Sequence, residues 1–216
     1  MNSAVKAIPT MVPGPSGVLE TVIEGPEAPS ADAVAVICHP HPLYHGTMNN
    51  KVVHTLSRGV ANLDRPAVRF NFRGVGASAG EYGGAIGEIQ DLHAVVAWVR
   101  TRWPAAELWI AGFSFGGYIA LSAATALAPA CLITVAPSIQ RFDVSAFTPP
   151  SCPWLVVHGD KDEIVDCQVV ADWAASLEPA PAFRRMPDTD HFFHGRLVRL
   201  RETAMDFLRE QAPACQ

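Results

Sequence analysis

The sequence predicts an α/β domain built on a mostly parallel, doubly wound sheet with helices on both faces. Two observations lead there. Short unbroken apolar runs alternate with longer segments whose apolar residues recur at helical spacing, and strands alternating with helices form parallel sheets. The motifs that carry chemistry then follow apolar runs, at the carboxyl ends of strands, where ligands sit in such sheets. The chain has 216 residues, enough for a single core of this kind, and 49% of them are apolar, which argues against disorder.

Each element can be justified in order. Residues 1–17 contain Pro9, Pro13, Gly14 and Pro15 and are expected to be an irregular N-terminal segment; residues 18–216 form one domain. After Lys6 these prolines leave no apolar stretch of the kind a secretion signal needs. Residues 18–24 alternate loosely and read as an edge strand. Residues 33–38 (AVAVIC) are continuously apolar, as in a strand buried on both faces. A helix over 50–63 and a strand over 67–72 follow, then a glycine-rich loop over 74–84. Ile89, Leu92, Val95, Val96 and Val99 place a helix over 86–102, which ends before Pro104. A strand over 108–111, a helix over 118–128 and strands over 131–135 and 154–158 come next. A helix over 169–177, a strand over 183–186 and a closing helix over 193–210 complete the pattern.

Residues 108–140 carry no charge and are long enough to cross a bilayer. Gly112, Gly116, Gly117, Pro129 and Pro137 cut them into strand-sized and helix-sized pieces, so no membrane insertion is expected. The net charge of −5 and the absence of a basic cluster exclude nucleic acid and acidic membranes as partners. Cys38, Cys131, Cys152, Cys167 and Cys215 are odd in number and lack C-x-x-C spacing. They read as mostly buried thiols of a cytoplasmic protein, a monomer or small homo-oligomer, rather than a disulfide framework or a zinc site.

Within the uncharged stretch stands Gly112-Phe113-Ser114-Phe115-Gly116, after a strand and before a helix. That order is what a nucleophile elbow requires: a sharp turn lifts the serine Oγ toward substrate at a helix N-terminus. A serine needs a base and an acid. His191 lies after the last strand and before the last helix, which makes it the expected base. The loop after strand 154–158 offers Asp160, Asp162, Glu163 and Asp166; Asp162 is the first choice for the acid and Asp160 the second. The chain order Ser, Asp, His is the one this architecture uses. His158, at a strand end beside the acid, reads as a core histidine or one supporting the acid.

An oxyanion hole needs backbone N–H donors. Phe115, next to the serine, is one. The other is expected from His39-Pro40-His41-Pro42-Leu43-Tyr44-His45-Gly46. Pro40 and Pro42 have no N–H, which leaves His41 or Leu43, with His41 favoured. The three histidines here lack i, i+4 ligand spacing and a nearby carboxylate, so no metal is expected. Gly74, Gly76 and Gly80 are spaced G-x-G-x-x-x-G, which departs from a dinucleotide fingerprint, and no cofactor is expected.

Taken together, these residues resemble the α/β-hydrolase superfamily, and more narrowly the small bacterial hydrolases similar to dienelactone hydrolases. The resemblance rests on His39 to Tyr44 with Lys51, on Arg69-Phe70-Asn71-Phe72-Arg73-Gly74-Val75-Gly76, on Gly87-Glu88 with Asp91, and on the Ser114 elbow. With the surroundings of Asp162 and His191 it covers about residues 30–208. Dienelactone hydrolases use a cysteine nucleophile where this chain has Ser114, so their substrate class does not carry over. His45 stands where the family motif often has glycine.

Only 18 residues, 136–153, separate two strands where many relatives insert a helical lid. An open, lidless site for small accessible carboxylic esters is therefore expected, acting through an acyl-enzyme. Thioester or amide hydrolysis and acyl transfer would use the same machinery, and a non-catalytic binding scaffold is the alternative of another class.

Overall fold

A computed structural model describes residues 6–26, 31–142, 144 and 147–211; Cys215 and the ends of the expected segments lie outside them. Eight strands form one sheet: β1 (Ala7–Gly14), β2 (Gly17–Glu24), β3 (Ala33–Cys38), β4 (Ala67–Phe70), β5 (Glu107–Phe113), β6 (Cys131–Val135), β7 (Trp154–Gly159) and β8 (Ala182–Met186). Their order is β1-β2-β4-β3-β5-β6-β7-β8. The β1–β2 and β2–β4 pairs are antiparallel, and all others are parallel.

The helices are α1 (Lys51–Ala61), α2 (Ile86–Arg102), α3 (Phe115–Leu127), α4 (Cys167–Ala175) and α5 (Leu197–Gln211). The central strands are apolar throughout because each feeds two cores. Val34, Val36, Leu108, Ile110, Trp154 and Val156 pack toward α2, α3 and α4. Their neighbours Ala35, Ile37, Trp109, Ala111, Leu155 and Val157 pack toward α1 and α5. This is the period of two expected where both sheet faces are covered. Among the described residues no helix is long and apolar enough to cross a membrane.

Two expectations at the N-terminus need correction. The segment expected to be irregular, residues 1–17, contains β1, and β2 is therefore an interior strand rather than the edge. The prolines had argued against a strand. Pro9 and Pro13 face Val22 and Val18. Val18 turns its carbonyl away from β1, to Ala79 N at 2.8 Å, and Glu20 turns its amide to Ser78 Oγ at 2.9 Å. The prolines thus occupy non-hydrogen-bonded pairs on an edge strand, where no donor is missed.

The strand over 67–72 ends earlier, at Phe70, and α3 begins earlier than expected, at Phe115. In the glycine loop, Gly74, Gly76, Gly80 and Gly84 adopt positive φ. The spacing of these glycines serves a winding turn that wraps Arg73. Arg73 Nε and Nη2 reach the buried Asp91 carboxylate at 3.0 and 2.8 Å, and Asp91 also accepts from the Arg73 amide.

Candidate active site

Ser114 closes β5 and caps α3 with φ 55° and ψ −115°, a strained conformation for a residue bearing a side chain. Close packing imposes it. A Cβ on Gly112 would lie 2.1 Å from the Gly116 carbonyl oxygen, and one on Gly116 would lie 2.4 Å from that of Cys38. The Ser114 amide donates to the Val135 carbonyl at 2.8 Å, which fixes the turn to the next strand.

His191 sits between β8 and α5, its ring packed on Phe113 and Phe192. Its Nε2 is 3.1 Å from Ser114 Oγ, and its Nδ1 is 2.7 Å from Asp162 Oδ2. A carboxylate only accepts, so Nδ1 carries the proton and Nε2 is free to accept from the serine. The structure thus brings Ser114, His191 and Asp162, separated widely in the chain, into one line.

The Asp162 side chain is fully buried in the loop after β7. Its Oδ1 accepts from the Ile164 and Val165 amides at 2.9 and 2.8 Å, and its Oδ2 also meets His158 Nε2 at 3.2 Å. Burial alone would raise its pKa. Hydrogen bonds from His158, His191 and the Val165 amide outweigh burial and hold the carboxyl well below the usual range.

The other acids have different places. Asp160 accepts from Thr189 N at 3.4 Å, and Lys161 N donates to Thr189 O, bracing the His191 loop against the Asp162 loop. Asp166 caps α4 through Gln168 and Val169 N. Glu163 is exposed.

Phe115 is the first residue of α3, so its N–H has no intrahelical acceptor. Across the site, the Leu43 amide donates to His41 Nδ1 at 3.2 Å and is already engaged. Because Nδ1 accepts there, neutral His41 carries its proton on Nε2, which meets Tyr82 Oη at 3.2 Å. His39 is fully buried; Phe72 N donates to its Nε2 at 3.0 Å, so Nδ1–H donates to the Pro40 carbonyl. Burial lowers its pKa to about 4. His39 and His41 therefore have separate partners and shape the loop. Among the described residues no group of three or more His, Cys, Asp or Glu side chains could hold a metal ion.

Ser114 and His191 open into a cleft of about 430 Å³ whose walls include Tyr44, Asn50, Ser138, Arg141, Ile164 and Phe192. The sequence reading missed Ser138 and Arg141. They follow β6 at its carboxyl end, and the strand-end rule would have flagged them. Tyr82 left no such signal, since its loop follows no strand directly and reaches the site through His41 and Phe115.

The sheet and this constellation define an α/β-hydrolase of the serine hydrolase class, small and without a lid. Residues 30–151 match the family model described as serine aminopeptidase, S33, and the chain belongs to that family. Its fold and sequence are similar to those of XC6422 from Xanthomonas campestris, an α/β serine hydrolase without a lid. The two are 44% identical over 99% of each chain, with a TM-score of 0.91. An α/β serine hydrolase homologue from Coxiella burnetii is 42% identical over 97% of this chain and 100% of its own, with a TM-score of 0.88. An uncharacterized protein of Rickettsia prowazekii is 31% identical over 90% of this chain and 86% of its own.

Proposed function

We propose that the protein hydrolyses small, accessible carboxylic esters through an acyl-enzyme. Ser114 Oγ attacks the ester carbonyl carbon while His191 Nε2 takes its proton. Asp162 holds His191 in the required tautomer and stabilises the imidazolium that forms. The carbonyl oxygen, now an oxyanion, accepts from the Phe115 and His41 amides; the engaged Leu43 amide favours His41 as the second donor. The tetrahedral intermediate collapses, and the leaving alkoxide takes the proton from His191. Water, deprotonated by His191, then releases the acid and restores Ser114.

The observation that carries this reading is the unbroken line from Ser114 Oγ through His191 to Asp162, at 3.1 and 2.7 Å. The family description names an aminopeptidase. Such an enzyme must hold its substrate's α-ammonium, yet the described lining of the cleft has no carboxylate and includes Arg141. That lining favours an ester over an N-terminal amide.

The test compares kcat/KM for an ester, a thioester and an anilide of one butyryl group. The ester is expected to lead. A leading anilide would replace the esterase reading with an amidase one.

A further inference from the structure

The cleft over Ser114 has a cationic wall. Arg141 supplies the charge from the end of a short 3-10 helix, Ile139–Arg141, that follows β6. Hydrogen bonds tie this helix into the site. Just before it, the Ser138 amide donates to the Ser114 carbonyl at 3.2 Å; within it, Gln140 Oε1 accepts from the Asp166 amide at 2.9 Å. The Arg141 guanidinium carbon lies 6.0 Å from the Tyr44 ring, which belongs to the loop forming the opposite wall.

Among the described residues no carboxylate pairs with Arg141, and none lines the cleft. The chain as a whole carries −5, so its net charge does not itself draw anions to the cleft. Burial, and then Arg141 itself, lower the pKa of His41 against the opposing charge of Glu88. Tyr44, Ile164 and Phe192 surround the opening with apolar surface, 68%, 40% and 42% exposed. Apolar walls strengthen the field of a nearby charge, and a guanidinium without an internal partner presents a planar fork of donors that matches a carboxylate.

We propose that the preferred substrates are esters that also carry a carboxylate, which Arg141 binds while Ser114 attacks the ester carbonyl. This deepens the esterase reading and rests on it. The carboxylate is a recognition group and is unchanged by the reaction, which remains ester plus water to acid plus alcohol.

The test measures kcat/KM on matched esters that differ in one carboxylate. Monomethyl glutarate against methyl pentanoate places the charge on the acyl side. 4-Acetoxybenzoate against 4-acetoxybenzamide places it on the leaving side. The native enzyme is expected to favour the charged member of at least one pair by about tenfold or more, the scale of a hydrogen-bonded charge. R141Q should bring that ratio toward one, R141K should keep part of it, and R141E should invert it.

A native ratio at or below one in both pairs overturns the proposal, as does a preference that R141Q leaves intact. Either result leaves the esterase reading standing if the neutral esters are cleaved. Failure of the native protein to cleave any of the four esters overturns that reading and, with it, this one.

Discussion

His158 Nε2 lies 3.2 Å from Asp162 Oδ2, the same oxygen that meets His191 Nδ1 at 2.7 Å. His158 also reaches the Val165 carbonyl at 3.0 Å, and its Nδ1 is buried without a partner among the described residues. Both groups facing Nε2 accept, so Nε2 carries the proton and the ring donates to the acid. In the proposed mechanism His158 is thus a positioning residue for Asp162. Replacing it by leucine removes a hydrogen bond to a charge, worth about 1.5–3 kcal/mol. H158L is expected to lower kcat about tenfold or more with little change in KM, and H158Q, which keeps a donor, to recover part of the loss. Steady-state kinetics on both variants, with circular dichroism to confirm folding, checks this.

Asp162 and Asp160 stand two residues apart and have different partners. D162N should lower kcat by about 10⁴-fold, because the amide favours the wrong His191 tautomer. D160N should act mainly on the Thr189 bond and cost far less. If D160N were the crippling change, the assignment of the acid would be reversed.

The Arg73–Asp91 pair is held behind the glycine loop, its side chains 10% and 0% exposed. Removing one partner strands the other charge in the core, a loss of about 3–5 kcal/mol. D91A should show that loss in urea unfolding, whereas D206A, in an exposed pair with Arg209, should change stability by less than about 1 kcal/mol.

Acid should weaken the fold through His39. Its pKa falls from the ordinary 6.5 to about 4 in the folded chain, through burial. Between those values the unfolded chain binds a proton that the folded one does not, so stability drops as pH falls through this window. The contribution is about 3 kcal/mol in all, and it is absent above the window. H39Q can keep both bonds without titrating. It should flatten the dependence of the unfolding midpoint between pH 6.5 and 4, and an unchanged slope would assign the effect elsewhere.

The open cleft sets an expectation for chain length. With no lid to cover a long acyl chain, acetyl and butyryl esters should be cleaved with higher kcat/KM than palmitoyl esters. A rising trend with chain length would contradict the short-acyl reading.

The parallel strands were legible because burial on both faces forces continuous apolar runs such as AVAVIC. The meeting of Ser114, His191 and Asp162 was legible because each follows a strand in a fixed chain order. β1 was not, since prolines weigh against a strand unless their pairing positions are known. The engaged Leu43 amide and the packing of Tyr82 against His41 and Phe115 were also hidden. Each depends on where a loop returns in space, which spacing along the chain does not record.

The central claim is that Ser114 is an activated nucleophile. Incubation with a fluorophosphonate, followed by intact-mass and peptide analysis, tests it most directly. One adduct per chain at Ser114, lost in S114A and strongly slowed in H191A, is the expected result. No adduct on the folded native protein, or one that persists in S114A, would contradict it.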